Sequence, residues 1–324
     1  RGDNTDYYGF KVLAESLGLD LAGKKAVVFG GDGGAGTTVR VVLSDLGMQV
    51  VSIGREGENT YATLADHADA ALAVNCTPVG MYPKCPEAPC TLDVLIALEG
   101  LIDIVYNPAR TALMMEAEAH GIAVAGGLLM LVAQAAQAVE RYTGEIISLD
   151  RIYEVTDQLS AAEQNITLIG MPGSGKTRVG ERLSELLGRE HIDIDHALVA
   201  RLGMPCSTYI TEHGEAAFRE QETAMIREIS ARSGLVISCG GGVVTRPENY
   251  PLLHQNSQIV MLNRPLNELS KKDRPITARD GIEALAAQRL PLYREWADIV
   301  VDSRDSALHT AEAVAEILPP MLEL

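Results

Sequence analysis

The chain has 324 residues, more than one ordinary hydrophobic core supports, and its length favours two domains. Hydrophobic residues make up 47% of the sequence and aromatic residues 4%, a composition typical of helices packed on parallel strands. The 44 acidic and 27 basic residues give a net charge of −17, which argues against a general nucleic-acid or membrane surface, so any phosphate site must use a few placed Arg and Lys.

The five cysteines are an odd number, and none of them forms a CxxC pair with a histidine partner. The sequence therefore indicates neither a disulfide framework nor a structural zinc site, and Cys85 and Cys90 are interpreted as free thiols of a surface loop. No stretch approaches the length of a transmembrane helix, and no signal peptide is recognisable. We expect a reducing, cytoplasmic location. Because the chain lacks an initiator Met, we expect Arg1 to follow a cut or a processing site.

The first elements are a strand, a glycine turn, a helix and a second strand. Helical spacing over 7–17 leads to a buried strand at Ala26–Phe29. Gly30–Gly36 then opens onto a helix that ends at Gly47, and a second strand follows at Gln49–Ile53. This order predicts a dinucleotide-binding fold, with a pyrophosphate at the helix N-terminus.

The residue that follows the second strand distinguishes the two nicotinamide cofactors. An acidic residue there would bind a ribose 2′-hydroxyl, whereas an arginine would accept a 2′-phosphate. The residue is Arg55, so NADP is favoured over NAD. The alternative is a surface ion pair between Arg55 and Glu56 or Glu58.

Two further strands, Ala70–Asn75 and Leu101–Tyr106, each continue into a polar turn. In an open parallel sheet, ligands bind at the carboxyl ends of the strands. A helix over 111–120 and an alanine-rich helix over 128–142 come next, and Gln134 lies at the middle of the second. The pattern alone leaves open whether Gln134 is a solvated residue or a ligand contact.

Residues 2–144 resemble the cofactor-binding half of shikimate dehydrogenase, because five blocks occur in that family's order. The blocks are Asn4-Thr5-Asp6 with Gly9-Phe10, Gly31-x-Gly33-Gly34-Ala35, Asn75–Met81, Asp103-x-Val105-Tyr106-Asn107-Pro108 with Thr111, and Gly127-x-x-Met130-Leu131 with Gln134. Cys76 departs from the family's usual Thr.

The resemblance implies roles for these residues. Asp6 would be one member of the family's catalytic Lys–Asp pair, and Tyr106 and Gln134 would reach the substrate. The residues implied to hold NADP are Gly31, Gly33, Gly34, Ala35, Arg55 and Thr77. The family's substrate domain, with the catalytic Lys, would precede Arg1. A hydroxyl that loses hydride also needs a positioned base, so we expect the chain as given to bind NADP without oxidising shikimate.

Residues 149–164 are predicted to be an amphipathic helical connector, which gives domains at 1–148 and 165–324. The second domain opens with a short apolar run, Ile166–Ile169, followed by Gly170-x4-Gly175-Lys176-Thr177 and a helical pattern. This is a P-loop in its usual context, with Lys176 reaching the β- and γ-phosphates and Thr177 binding Mg²⁺. The alternative is a glycine-rich turn that only joins strand to helix.

Acidic residues follow the next predicted strand. Alternation along 190–195 predicts that Asp193 and Asp195 lie on the same face of a strand end, where one could hold Mg²⁺ and the other accept a substrate proton. A solvated strand end explains the pair equally well. Arg219 and Glu222 follow on a predicted helix, where an exposed Arg–Glu face is the plain alternative.

Three consecutive glycines, Gly240–Gly242, end the strand at Leu235–Ser238 and indicate a close backbone approach. After a strand at Gln258–Leu262, a basic loop around Arg274 is of the kind that closes over phosphates. Arg289 precedes the last strand, 298–301. Considered singly, each arginine is compatible with an ordinary surface position.

Residues 165–318 resemble shikimate kinase over their whole length. The shared blocks, in the family's order, are the P-loop, Asp193-x-Asp195, Phe218-Arg219-x-x-Glu222, Gly240–Gly242, Arg274-Pro275 and Arg289-x-Pro291-Leu292-Tyr293-x-x-x-Ala297. The resemblance implies that shikimate is bound by Asp195, Arg219, Gly241 and Arg289. It also implies an ATP site made of Gly173, Ser174, Gly175, Lys176, Thr177 and Arg274. Lys176 and Asp195 would be catalytic, and Thr177 and Asp193 would serve Mg²⁺.

The expected protein is an α/β chain of two parallel-sheet domains, Rossmann-like and then P-loop-kinase-like. The expected cofactors are ATP, Mg²⁺ and NADP(H), and the expected small-molecule partners are shikimate and 3-dehydroshikimate. Two alternatives remain open at this point. The N-terminal domain could be a non-catalytic NADP-binding or docking module, or the kinase could serve another acceptor such as gluconate or a nucleoside monophosphate.

Overall fold

The computed structural model describes residues 4–269 and 281–319, which divide into two compact units, 4–160 and 161–319. Each unit contains one five-stranded sheet with helices packed on it, and every described strand pair is parallel. The predicted α/β fold class is confirmed. No helix in these two ranges has the length and apolar character that a membrane span needs.

The first unit has strand order β2-β1-β3-β4-β5. Its strands are β1 (Lys25–Phe29), β2 (Gln49–Ile53), β3 (Leu72–Asn75), β4 (Gly100–Asp103) and β5 (Ala123–Gly126). Its helices are α1 (Thr5–Ser16), α2 (Gly34–Asp45), α3 (Ala112–Ala119), α4 (Gly127–Thr143) and α5 (Leu149–Glu163). The sequence predicted the first four strands and missed β5, because Ala-Val-Ala-Gly is only half-buried and lacks a long apolar run.

The first sheet is covered on both faces, which explains its continuous apolar strands. Residues Ala26–Phe29 of β1 are fully buried. Phe10 and Val39 pack on one face of the sheet, while Leu64 and Leu113 pack on the other. The apolar side of α5, around the buried Ile152, joins the first of these clusters.

The second unit has strand order β10-β9-β6-β8-β7. Its strands are β6 (Asn165–Ile169), β7 (His191–Asp193), β8 (Val236–Ser238), β9 (Ser257–Asn263) and β10 (Ile299–Asp302). Its described helices are α6 (Lys176–Leu187), α7 (Ile194–Leu202), α8 (Cys206–Ser230), α9 (Asn249–His254), α10 (Ile282–Trp296) and α11 (Ala307–Ile317). Because the strands are parallel, the residues that follow β6, β7 and β8 meet at one edge of the sheet.

The predicted arrangement of Asp193 and Asp195 on one strand face is wrong. β7 ends at Asp193, whose carboxylate accepts the N–H of His196 at 3.1 Å and so caps α7. Asp195 therefore lies in the first turn of a helix. The alternating sequence His-Ile-Asp-Ile-Asp fits a strand, but an Asp before an apolar residue also fits a helix N-cap, and capping prevails.

Arg189, which follows α6, holds the C-terminal end of α5. Its guanidinium donates to the carbonyl oxygens of Gln164 at 2.7 Å, of Ala161, and of Ala162 at 3.4 Å. The last carbonyl groups of a helix have no partner within the helix, so a cation there both caps them and complements the helix dipole. All four residues belong to the second unit.

Candidate active site

The loop between β6 and α6 is shaped by glycines with backbone angles that other residues rarely adopt. Gly173 and Gly175 have φ values of +91° and +96°, and Gly175 immediately precedes α6. A Cβ atom on Gly170 would lie 2.7 Å from the carbonyl oxygen of Leu262. The loop therefore curls tightly in front of the helix N-terminus, where backbone N–H groups favour anions.

Lys176 begins α6 and is only 8% exposed. Its ammonium group donates to the carbonyl oxygens of Gly170 at 2.9 Å and Met171 at 3.1 Å. The side chain thus folds back over the loop that precedes it. A charge held there can act on a phosphate that enters the loop.

Thr177 and Asp193 are brought together although 16 residues separate them, with the threonine hydroxyl donating to the carboxylate at 2.6 Å. The donor set consists of oxygen atoms alone, which suits Mg²⁺ better than a softer metal. A magnesium ion bound by one or two protein oxygens keeps several of its waters. The two residues predicted to serve Mg²⁺ therefore fit that ion in chemistry and in position.

A cavity of about 610 Å³ opens in front of this loop. Its lining includes Gly173–Thr177, Asp193, Asp195 and Gly241, together with Arg264 and residues 303–307. The cavity therefore connects the five P-loop residues predicted to bind ATP with two of the residues predicted to bind the acceptor.

Arg219 lies on α8 and is 7% exposed. Its guanidinium donates to Glu222 at 2.7 Å and to Glu215 at 3.3 Å. Burial opposes the charge of Arg219, but Glu222 and Glu215 outweigh it and raise the pKa of the guanidinium. Burial also raises the pKa of Glu222, against the opposing effect of Arg219. The arginine is consequently held in one orientation by two carboxylates.

The glycine run after β8 fits between these side chains. A Cβ atom on Gly242 would lie 2.0 Å from an Arg219 nitrogen, and one on Gly240 would lie 2.8 Å from Glu222 and 2.9 Å from Asp195. A Cβ atom on Gly241 would lie 2.6 Å from Pro172 of the P-loop. The close backbone approach that the sequence predicted is therefore present at all three positions.

Arg289 of α10 completes this group and is 4% exposed. Its guanidinium donates to the carbonyl oxygen of Gly241 at 3.0 Å, and the Tyr293 hydroxyl donates to the same oxygen. Burial raises the pKa of Tyr293, so the hydroxyl keeps its proton. Arg219 and Arg289 thus meet at the glycine run, whereas Arg274 lies outside the described residues.

In the first unit, the glycine turn lies between β1 and α2. A Cβ atom on Gly36 would lie 2.4 Å from the carbonyl oxygen of Gly30, and one on Gly31 would lie 2.6 Å from the Ser52 hydroxyl. The spacing of Gly31, Gly33 and Gly36 allows α2 to pack directly against the turn. Gly33 precedes the helix without a side-chain cap, which leaves the first N–H groups of α2 available to a ligand.

A buried network shapes the turns that follow β3 and β4. The Asn75 amide donates to both carboxylate oxygens of Asp103 at 3.1 Å, and Thr111 donates to the same carboxylate at 2.7 Å. The Asn75 side-chain oxygen accepts the N–H of Thr77 at 3.0 Å and its hydroxyl at 2.7 Å. Thr77, predicted to contact NADP, is therefore fixed by a residue that itself depends on Asp103.

The other predicted residues of this unit occupy different settings. The Gln134 amide donates to the Asp6 carboxylate at 2.8 Å, so the fold joins α1 and α4 at this pair. Tyr106, in the turn after β4, is 53% exposed. Arg55 is exposed beyond the end of β2. Their roles in binding remain predictions.

Several residues with clear structural roles were not among the predicted site residues. Glu222 and Tyr293 orient groups of the second unit, and Asp103 orients those of the first. The spacing of three residues on a helix brings Arg219 and Glu222 to the same face, so the sequence alone could have indicated that Glu222 contacts Arg219. Asp103 and Tyr293 act on residues 28 and 52 positions away, which no local pattern reveals.

Comparisons with known proteins match the C-terminal half of the chain to one family. The sequence profile of the family "Shikimate kinase" matches residues 172–320. A shikimate kinase from Nitrosomonas europaea is 42% identical over 153 residues, which are 44% of this chain and 72% of that protein. The structure of a shikimate kinase from Acinetobacter baumannii in complex with shikimate is 32% identical, covers 50% of this chain and 96% of that one, and gives a TM-score of 0.47.

A second kind of solved structure is also similar to this chain. A chorismate mutase/shikimate 5-dehydrogenase fusion protein from Clostridium acetobutylicum is 31% identical, with a TM-score of 0.46. The match covers 48% of this chain and 60% of the fusion protein.

Proposed function

Because this chain belongs to the shikimate kinase family through its C-terminal half, we propose that this half transfers the γ-phosphoryl group of ATP to a hydroxyl group of shikimate. The observation that carries the proposal is the shared cavity. It places Lys176 and Thr177 beside Asp195 and Gly241, so a nucleotide phosphate and an acceptor hydroxyl can meet.

The residues of this cavity have separate roles in the phosphoryl transfer. Lys176 and the N–H groups of the loop bind the phosphates and balance charge on the transferred group. Thr177 and Asp193 would hold Mg²⁺, which supplies further positive charge to the phosphate oxygens. Asp195 accepts the proton of the attacking hydroxyl. The new O–P bond then forms as the bond to the ADP oxygen breaks.

The acceptor molecule is expected to carry a carboxylate group in addition to the reacting hydroxyl. Arg219 and Arg289 both present guanidinium groups near Gly241, and two such groups match a carboxylate better than they match an uncharged sugar. Arg219 is already oriented by Glu222 and Glu215, so little side-chain entropy is lost on binding. This feature favours an acceptor with a carboxylate, such as shikimate, over an uncharged sugar.

The test is an acceptor screen with Mg²⁺ and ATP, in which ADP release is measured for shikimate, gluconate and several nucleoside monophosphates. We expect turnover with shikimate alone. Turnover with a nucleoside monophosphate and none with shikimate would refute the assignment.

For the N-terminal half, we propose an NADP-binding unit of the shikimate dehydrogenase type, which interconverts 3-dehydroshikimate and shikimate. Its support is the glycine turn at the N-terminus of α2 and the Asp6–Gln134 pair. NADP would accept or supply the hydride. The chain's own residues would bind the pyrophosphate at Gly31–Ala35 and hold the Asp6 carboxylate in place through Gln134.

The alternative for this half is a non-catalytic NADP-binding or docking module. Calorimetry with NADP and NAD, together with an assay for NADPH formation from shikimate, separates the two. NADPH formation from shikimate supports the dehydrogenase against the module, binding without turnover supports the NADP-binding unit alone, and absence of binding refutes both.

A further inference from the structure

Behind the P-loop, a pair of polar side chains links two strands to the first turn of α6. His191 of β7 contacts Ser238 of β8, with 2.9 Å between the imidazole Nε2 and the serine Oγ. The Ser238 hydroxyl is buried and donates to the carbonyl oxygen of Lys176 at 3.1 Å. A hydroxyl has one proton, so Ser238 must accept the Nε2–H of His191. The order of donation is therefore His191 to Ser238 to Lys176.

Helix α6 rests directly on this pair through Gly180. A Cβ atom at that position would lie 2.5 Å from the His191 Nε2 and 2.6 Å from the Ser238 Oγ. Any residue other than glycine would push the helix away from both side chains. The contact is thus built into the packing of α6 on the sheet.

The same strands hold the neighbouring residue of α6. Asp193, two positions after His191, accepts the Thr177 hydroxyl at 2.6 Å and pairs in register with Ser238. The backbone of Lys176 is consequently tied to β8, and the side chain of Thr177 is tied to β7. Both phosphate-binding residues depend on the alignment of these two strands with α6.

We propose that His191, acting through Ser238, is a positioning residue for the phosphate site. It fixes the first turn of α6 so that Lys176 and Thr177 face the nucleotide together with Asp193. The inference rests on the proposed kinase function for its kinetic readout. His191 is not among the residues that line the cavity, and it works by holding the Ser238 hydroxyl in the orientation that binds the Lys176 carbonyl.

Three variants test this role. His191→Leu removes the hydrogen-bond donor but keeps a side chain of comparable size, and His191→Gln keeps an N–H donor at a similar reach. Ser238→Ala removes the hydroxyl that links His191 to the Lys176 carbonyl. We expect His191→Leu and Ser238→Ala each to lower kcat and weaken Mg-ATP binding about fivefold, the value of one ordinary buried hydrogen bond. The KM for shikimate should stay unchanged, and His191→Gln should recover most of the loss.

The double variant gives a further test, because two residues linked by the same chain of hydrogen bonds do not act independently. His191→Leu with Ser238→Ala should be no worse than the more damaging single variant. The matched control is His213→Leu, a change at an exposed histidine of α8, which should leave both constants unchanged.

A merely structural role would give a different pattern. If His191→Gln were as impaired as His191→Leu, or if the KM for shikimate rose along with the loss of Mg-ATP binding, the inference would be overturned. Calorimetry with a non-hydrolysable ATP analogue and Mg²⁺ needs no acceptor. If the unmodified chain failed to phosphorylate shikimate but His191→Leu still weakened analogue binding, the kinase assignment would fail and the positioning role would stand.

Discussion

Both units use a strand, a glycine turn and a helix to present backbone N–H groups, but the two turns differ in what else they carry. The turn before α6 is followed at once by Lys176 and Thr177, so the charge and the hydroxyl lie within the motif itself. The turn before α2 offers glycines and the exposed Asp32, which is paired with Arg40 at 2.8 Å. Other candidate contacts of the first unit follow β2 and β3.

The sequence of the turn before α6 therefore predicts its ligand, whereas the sequence of the turn before α2 predicts only the fold. A self-contained motif fixes ligand type in eight residues. A distributed site depends on how several strand ends are held together, here through Asn75 and Asp103. A self-contained motif should lose its function after one local substitution. A distributed site should also change when a distant buried group that supports it is substituted.

The largest effect is expected from Lys176→Ala, which removes the charge from the self-contained motif. We expect shikimate phosphorylation to fall by roughly 100-fold or more, the usual loss for a charge that acts on the transition state. A coupled assay of ADP release measures it, with the melting temperature recorded alongside. Arg182→Ala is the control, since that residue lies on the same helix and pairs at the surface with Glu185. A variant with half of the normal rate would show that the motif is not self-contained.

The distributed site should reveal itself in the pH dependence of stability. Burial raises the pKa of Asp103 to about 6 from 3.8, although bonds from Thr111, Asn75 and the Val105 N–H oppose the rise. The folded chain therefore binds this proton more tightly than the unfolded chain. The stabilisation is full below about pH 4 and disappears as the pH rises through 6.

The comparison is with Asp103→Asn, which cannot titrate. Relative to this variant, the parent chain should gain on the order of 2 kcal/mol of unfolding free energy between pH 7 and pH 4. Denaturant titrations of both proteins at several pH values measure the difference. A constant difference across that range would mean that burial does not raise the pKa of Asp103 in the folded chain.

A smaller effect is expected from Arg219→Lys, because an ammonium group cannot reproduce the planar fork that Glu222 and Glu215 orient. The KM for shikimate should rise roughly 10- to 100-fold, as expected for the loss of a hydrogen bond to a charged group. Arg289→Lys should behave similarly. The KM for ATP is the internal control, and a rise in that value alone would assign these arginines to the wrong ligand.

The smallest effect is expected from Arg55→Ala, because Arg55 is exposed and its pairing with a 2′-phosphate is screened by solvent. NADP affinity should fall about fivefold, with NAD affinity unchanged. Calorimetry with both cofactors measures it. The control is Lys24→Ala, which lies just before β1 at the amino ends of the strands. Equal losses of affinity for NADP and NAD would contradict the role of Arg55.

Sequence reasoning succeeded where the information is local. The glycine turns, the P-loop and most strands were predicted because turn residues, apolar runs and helix patterns lie next to one another. It failed for β5, whose half-buried residues give no apolar run, and for Asp195, where strand alternation and a helix cap share one pattern. Glu222, Tyr293 and Asp103 needed the fold, because each acquires its role from the tertiary packing around it.

The contact between Arg189 and the end of α5 has a practical consequence for separating the two halves. Expression of the second half from Asn165 onward would delete three carbonyl groups that Arg189 binds, and it would also delete the Glu163 carbonyl that accepts the N–H of Gly234 at 2.8 Å. An autonomous kinase should therefore begin upstream of Ala161, with at least the last turn of α5 retained. The shortest soluble and cooperative fragment is thus set by a helix cap, some residues before the first strand of the sheet.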